Sequence, residues 1–183
     1  MPSFMDEVLA HNKTFVENKG YEQYASDRLP GKKLAIVACM DTRMTELLPA
    51  ALGLRNGDIK LIKNAGGTVT QPFGSIMRSL LVCVYVMDVR EIAVIGHYDC
   101  GMQGFELSAI KEKIQTRGIP DERLEMLKYY GVNLEDWLVG FESSQVSVQE
   151  SVAMIRKHPL MPEDVKIYGL LMDPVTGRLD PVC

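Results

Sequence analysis

The stretch that decides the fold is KKLAIVACMDTRM, residues 32–44. Its segment LAIVA, residues 34–38, is a short and continuous apolar run with β-branched members, which is typical of a strand covered on both faces. The run ends directly in Cys39, Asp41 and Arg43, which are a thiol, a carboxylate and a guanidinium. Packing explains the apolar run but not the polar groups at its end. We therefore treat this end as a candidate functional site.

Strand and helix patterns alternate along the chain after this stretch. Apolar runs at 59–63 and 91–97 predict two more strands, and a helical pattern at 73–89 lies between them. Residues 165–181 predict a last strand followed by a turn. The alternation predicts an α/β fold, with a central, mostly parallel β-sheet of about four to five strands flanked by helices.

The length of 183 residues predicts one domain over residues 1–183. Residues 1–30 predict an N-terminal helical arm, because apolar residues recur among charged ones over 4–26 and the pattern breaks near Gly20. Further helical patterns lie at 45–54, 104–116, 121–129 and 143–157, with a short turn predicted around Asn133–Trp137.

The composition argues against several classes of function. The chain has 20 basic and 24 acidic residues and a formal net charge of −4, which disfavours nucleic acid and an anionic membrane surface as partners. The hydrophobic fraction of 46% predicts a packed core. The sequence contains no run of about 18 uncharged apolar residues, so it predicts no transmembrane helix. The first residues lack the basic-then-apolar layout of a signal peptide, so we expect a cytoplasmic protein.

A second group of polar residues follows the strand predicted at 91–97. The sequence GHYDCGM, residues 96–102, places His97 and Cys100 three positions apart. Because the carboxyl ends of parallel strands meet at one edge of a sheet, we expect Cys39 to lie near them. One imidazole and two thiolates form a three-ligand set for zinc and leave a fourth position, where the pKa of a water molecule falls to roughly 7.

Asp41 and Arg43 permit two arrangements at this site. A guanidinium holds a neighbouring carboxylate ionised and oriented. Asp41 is also near enough to Cys39 in the sequence to reach the metal itself. It would then either fill the fourth position or be held away from it by Arg43. An ordinary surface salt bridge is the plainer alternative.

The loop NAGG, residues 64–67, offers glycines where backbone could approach a neighbour closely. Its N–H groups could donate to an anion, and a plain turn explains the same residues equally well.

The remaining thiols and imidazoles are expected to be structural or incidental. We expect Cys83 in the core, Cys183 as an incidental thiol at the end of the chain, and His11 and His158 at the surface. Four cysteines would allow two disulfides, but a chain of this length in a reducing compartment favours free thiols.

At this point the sequence resembles the β-class carbonic anhydrases, and in its length their compact bacterial subgroup. CMDTRM, residues 39–44, matches their C-x-D-x-R motif, and GHYDCGM matches their H-x-x-C-G motif. The ending GLLMDPVTGRL, residues 169–179, is similar to the last strand and turn of the family. The resemblance implies reversible hydration of carbon dioxide to bicarbonate and a proton, by a Zn²⁺ ion that is held by three residues: Cys39, His97 and Cys100.

The resemblance also implies roles for other groups. Asp41 and Arg43 would form a catalytic pair, with Asp41 as a fourth zinc ligand in closed members of the family and paired with Arg43 in open ones. Backbone N–H groups of Gly66, Gly67 or Gly101 would bind carbon dioxide or bicarbonate. The chain would form a homodimer or a dimer of dimers, with the N-terminal arm wrapped over its partner.

Three other functions remain open on the sequence. The same four residues could form a closed zinc site that only holds an oligomer together. A hydrolase of the same fold could act on carbonyl sulfide or carbon disulfide. A thiol redox sensor would require Cys39 and Cys100 to be free of metal.

Overall fold

The structure, a computed structural model, describes residues 3–183. Residues 1 and 2, the first two of the arm predicted over 1–30, lie outside the described residues. The strands are β1 Leu34–Cys39, β2 Ile59–Asn64, β3 Glu91–His97, β4 Lys166–Met172 and β5 Leu179–Pro181. The α-helices are α1 Phe4–Glu17, α2 Met44–Ala51, α3 Ser75–Met87, α4 Leu107–Thr116, α5 Asp121–Glu125, α6 Leu134–Trp137 and α7 Ser144–Arg156. Short 3₁₀ turns lie at Gly20–Tyr24, Ala65–Gly67 and Met126–Tyr130.

The strands form one sheet in the order β2-β1-β3-β4-β5. The first four are parallel, and β5 pairs antiparallel with β4. This confirms the predicted α/β fold with a mostly parallel sheet. The sequence analysis missed β5, which has only three residues. The turn before it reverses the chain, because the Asp173 carboxylate accepts hydrogen bonds from the N–H groups of Val175 and Thr176.

Strand β1 is covered on both faces, as the continuous apolar run predicts. Ala35 and Val37 pack in a cluster with α3 and α7, whereas Ile36 and Ala38 pack on the opposite face with α2. Successive side chains of a strand point to opposite faces, so a run without alternation buries both. Full burial of a side chain such as Ile36 contributes about 1.5–3 kcal/mol to stability. This packing fixes the position of the residue that ends the strand.

A helical segment that contains α4, α5 and α6 separates β3 from α7; we call it the helical excursion. The predicted helices at 104–116 and 143–157 are confirmed as α4 and α7, and the one at 121–129 divides into α5 and a 3₁₀ turn. The two ends of the excursion are tied together, since Gly104 N–H donates to Phe141 O at 2.9 Å and Phe141 N–H donates to Met102 O at 3.1 Å. The excursion therefore closes directly beside the loop that follows β3.

The N-terminal arm lies on the surface. Ser3 caps α1 in a capping box with Asp6. Lys19 has a φ of 55° and breaks the helix immediately before Gly20, close to the predicted break. No residue of α1 or of the 3₁₀ turn that follows it is buried. Within residues 3–183, none of the helices combines the length and apolar content needed to cross a bilayer.

Candidate metal centre

The topology brings two strand ends together. From β1 the chain continues to β2 on one side, while β3 is the neighbour of β1 on the other side. Ligand sites form at such switch points, outside the carboxyl ends of the strands. Cys39 is the last residue of β1, and His97 is the last residue of β3. Cys100 follows in the loop after β3, so the site draws on two adjacent strands.

Three potential metal ligands converge at this point. One ligand atom each of Cys39, His97 and Cys100 lie within 4.8 Å of one another, and all three residues are buried. The two sulfur atoms are 3.9 Å apart and do not form a disulfide. The structure thus brings together the three residues that the two motifs predicted as ligands.

The His97 ring is prepared to act as a ligand. Its Nδ1 lies 2.8 Å from the carbonyl oxygen of Tyr98. A carbonyl only accepts, so Nδ1 carries the hydrogen and Nε2 presents a lone pair. That Nε2 is buried and has no hydrogen-bond partner within residues 3–183. A buried nitrogen without a partner is unfavourable, and a metal ion would satisfy it. The imidazole and two sulfurs are a donor set that fits zinc.

The pKa values of the Cys39 and Cys100 thiols are shifted in opposite directions. Burial raises the pKa of Cys39, but the nearby His97 ring and the N–H groups of Asp41 and Gly66 outweigh it and lower that pKa to about 7. Burial raises the pKa of Cys100 to about 11, and the neighbouring Cys39 adds to the rise. Two thiols this close resist carrying two negative charges at once. A divalent cation would remove that conflict by binding both as thiolates.

The NAGG loop packs against the end of β1. Gly67 has a φ of 65°, and a Cβ on it would lie 2.6 Å from the backbone nitrogen of Cys39. Gly66 has a φ of 79°, its N–H contributes to the low pKa of Cys39, and a Cβ on it would meet the Phe141 ring at 2.8 Å. A Cβ on Gly101 would meet no atom within 4 Å. The glycines of the loop therefore allow close approach to Cys39, a candidate metal ligand, and the substrate contact predicted for Gly66, Gly67 and Gly101 stays a prediction.

Asp41 and Arg43 form a bidentate ion pair beside the ligands. The Arg43 Nε atom donates to Asp41 Oδ1 at 3.1 Å, and Nη2 donates to Oδ2 at 2.8 Å. Hydrogen bonding from Arg43 lowers the pKa of Asp41 to about 2, despite the opposing effect of burial. Asp41 Oδ2 also lies 3.8 Å from His97 Nε2. The carboxylate is thus next to the ligand atoms while Arg43 holds it.

Sequence reasoning missed Asp99 as a part of this site. Arg43 Nη1 donates to Asp99 Oδ2, and Arg43 Nη2 donates to the Asp99 backbone oxygen, both at 2.9 Å. The sequence offered no pattern that links Asp99 to Arg43, because the two residues lie 56 positions apart.

The remaining cysteines and histidines lie away from these three ligands. Cys83 is buried in α3, as predicted, and Cys183 and His11 are exposed. The prediction that His158 lies at the surface was wrong, since it is only 4% exposed. Its ring packs edge-on against Phe73, with the ring centroids 5.4 Å apart, and its Nδ1 accepts from Leu160 N–H.

Comparisons with known proteins agree with this fold. The carbonic anhydrase family model matches residues 34–179, which contain all the predicted metal ligands. The chain belongs to the β-class carbonic anhydrase family.

Individual relatives cover nearly the whole chain. It is 53% identical over 178 residues to the Bacillus subtilis (strain 168) protein named "Putative carbonic anhydrase YtiB", covering 97% of this chain and 95% of that protein. The crystal structure of β-carbonic anhydrase isoform I from Trichomonas vaginalis is similar with a TM-score of 0.89 and 31% identity, covering 99% of this chain and 98% of the other. The carbon disulfide hydrolase of Acidithiobacillus thiooxidans is 29% identical over 175 residues, covering 89% of this chain and 85% of that protein.

Proposed function

We propose that this protein is a zinc enzyme that interconverts carbon dioxide and bicarbonate, with release or uptake of a proton. The observation that carries the proposal is the cluster of Cys39, His97 and Cys100, whose ligand atoms lie within 4.8 Å of one another. These three residues would hold Zn²⁺ and leave one coordination position, as in catalytic zinc sites. When bound, zinc would act as a Lewis acid that lowers the pKa of water to about 7.

The protein's own groups would orient the reactants. Asp41 is ionised and fixed by three hydrogen bonds from Arg43, two from the guanidinium and one from the backbone N–H. Its carboxylate can therefore accept a hydrogen bond from the attacking oxygen and direct the lone pair of that oxygen toward carbon dioxide. Arg43 keeps that carboxylate unprotonated. Gly66 N–H donates toward Cys39 and would support it as a ligand. Backbone N–H groups of Gly66, Gly67 and Gly101 are the candidates for binding bicarbonate.

Stopped-flow hydration of carbon dioxide, measured against pH on protein whose zinc has been quantified, tests the proposal. We expect hydration that scales with zinc content. Fully zinc-loaded protein without hydration activity, including under alkaline conditions, would contradict it and favour the closed, non-catalytic zinc site. The ion pair supports the catalytic alternative, because both oxygens of Asp41 accept hydrogen bonds from the Arg43 guanidinium, which competes with a metal ion for the carboxylate.

A related hydrolysis is the second candidate. The similarity to a carbon disulfide hydrolase extends over 89% of the chain. Carbon disulfide and carbonyl sulfide also present an electrophilic carbon to the same oxygen nucleophile. Release of sulfide from either compound by the zinc-loaded protein, at a rate above that of carbon dioxide hydration, would identify this activity.

We further propose a homodimer or a dimer of dimers built through the N-terminal arm. Apolar residues of the arm are exposed, among them Phe4 at 76% and Leu9 at 62%. A short amphipathic helix is marginally stable alone and gains stability by packing its apolar face. Sedimentation velocity of the full chain tests this proposal. A monomer that stays unchanged as the protein concentration rises would contradict it.

A further inference from the structure

Arg43 is held between two acidic residues. Asp41 accepts from Nε and Nη2, and Asp99 accepts from Nη1 and again from Nη2. Four hydrogen bonds from one guanidinium fix both its position and its plane. The guanidinium binds both oxygens of Asp41, and the Arg43 backbone N–H also donates to Oδ1, so a group that fixes the guanidinium helps to fix the Asp41 carboxylate.

We propose that Asp99 is a positioning residue that holds Arg43 so that Asp41 stays off the fourth coordination position of the metal. The proposal rests on the proposed zinc site. It adds a residue, Asp99, at a position that the H-x-x-C motif leaves unspecified. Asp99 acts only through Arg43, since its contacts join the loop after β3 to the loop after β1.

The backbone of Asp99 is unusual in a way that fits this role. Its φ is 54°, in the left-handed region that residues other than glycine rarely adopt. In this conformation its carbonyl oxygen and its carboxylate both contact the same guanidinium. Strained residues of this kind persist where the surroundings determine them, and they occur often at functional sites. The tight loop between His97 and Cys100 supplies those surroundings.

The expected effect is moderate. The Asp99 side chain is 86% exposed, and water weakens its attraction to Arg43. Loss of an exposed ion pair changes an equilibrium constant by about twofold to fivefold, here that between Asp41 held by Arg43 and Asp41 bound to the metal. Without the Asp99 carboxylate, Arg43 should hold Asp41 less firmly, and Asp41 should occupy the metal more often by the same factor.

The test compares Asp99→Gly with the wild type, both loaded with Co²⁺, whose visible spectrum reports its coordination. Glycine suits the left-handed backbone, so this variant removes the carboxylate without adding strain, and the extra backbone freedom of glycine is controlled by Asp88→Gly. Azide is the probe, because it competes with Asp41 for the fourth position. We expect Asp99→Gly to bind azide about twofold to fivefold more weakly than the wild type. Asp99→Asn keeps an acceptor for Nη1 and should recover most of the affinity.

The direction of the change separates positioning from simple charge. Removing a negative charge near the site would by itself make azide bind more tightly, whereas release of Asp41 makes it bind more weakly. In an Asp41→Asn background, Asp99→Gly should no longer weaken azide binding, because the residue through which it acts is neutralised. Asp88→Gly is the matched control: Asp88 has a φ of 53° and pairs with Lys33 and Arg90, not with Arg43.

Azide affinity that is unchanged or higher in Asp99→Gly would overturn the proposal, as would an equal weakening in Asp88→Gly. Weaker binding confined to Asp99→Gly would support it. The readout does not require turnover. If the wild type binds metal but does not hydrate carbon dioxide, the proposed activity fails while the role of Asp99 is still tested.

Discussion

Two groups of ion pairs lie at opposite ends of the same strands, and each contains an aspartate with a left-handed backbone. At the amino ends, Asp88 pairs with Lys33 at 2.6 Å and with Arg90, and Arg90 also pairs with Asp164. At the carboxyl ends, Arg43 joins Asp41 and Asp99. We call these the amino-end cluster and the carboxyl-end cluster.

The two clusters differ in what they surround. Every side chain of the amino-end cluster is about half exposed or more, and within residues 3–183 none of its members belongs to a group of three potential metal ligands. The carboxyl-end cluster contains one carboxylate, Asp41, that is only 17% exposed and lies 3.8 Å from the unpartnered His97 nitrogen. A network of charges thus indicates function only where it adjoins buried groups that need a ligand. The sheet topology puts such groups at one end of the strands and not at the other.

Removal of a proposed metal ligand at the carboxyl ends of the strands should have the largest effect on zinc content and activity. We expect Cys39→Ala, His97→Ala and Cys100→Ala each to lose nearly all bound zinc. Activity should fall by more than the about 10- to 100-fold that loss of an outer-shell partner costs. Metal analysis and stopped-flow assays measure both effects. Cys183→Ala is the control, since this thiol is exposed and should keep full zinc. Full zinc in any of the three ligand variants would remove the assignment of that ligand.

Neutralising the half-buried carboxylate of Asp41 should have the next largest effect on activity. Asp41→Asn should retain zinc but lose activity by about 10- to 100-fold, because the amide no longer gives the attacking oxygen a charged acceptor. Asp88→Asn removes a similar charge from the amino-end cluster and should leave the rate within about twofold of the wild type. Equal losses in the two variants would mean that the two clusters do not differ in function.

The sequence analysis predicted the ligands because each one is the residue at or just after the end of an apolar strand. It also predicted strand β1 to be covered on both faces, because that property depends only on local pattern. The approach of Cys39 to His97 and Cys100 was predicted from the topology of parallel strands, but other contacts between distant segments were missed. Asp99 reaches Arg43 across 56 positions by means of a left-handed backbone, which no residue pattern announces. His158, predicted at the surface, is buried, and its ring contacts Phe73, which is far away in the sequence.

The glycine loop allows a comparison of stability. Gly67→Ala introduces both a left-handed alanine and a Cβ that lies 2.6 Å from the nitrogen of Cys39. Gly104→Ala has almost the same φ, 66°, but its Cβ meets no atom within 4 Å. We expect Gly67→Ala to lower the free energy of unfolding by about 1–3 kcal/mol more than Gly104→Ala, because only the first is overpacked. Urea unfolding of the two variants measures the difference. Equal losses would show that the backbone angle alone accounts for both glycines.

The amino-end cluster should make a small contribution to the free energy of unfolding, and this contribution should depend on pH. Hydrogen bonds from Lys33 and Arg90 lower the pKa of Asp88 below its ordinary value of 3.8. A carboxyl whose pKa is lower in the folded protein stabilises that state above its ordinary pKa, and the contribution disappears as the pH falls through the folded value. The wild type should therefore unfold at a slightly higher urea concentration than Asp88→Asn at neutral pH, and the two curves should converge below pH 3.8. A difference in urea midpoint that persists or grows in acid would mean that Asp88 stabilises the chain by packing or backbone conformation. The contribution of the amino-end cluster would then not be electrostatic.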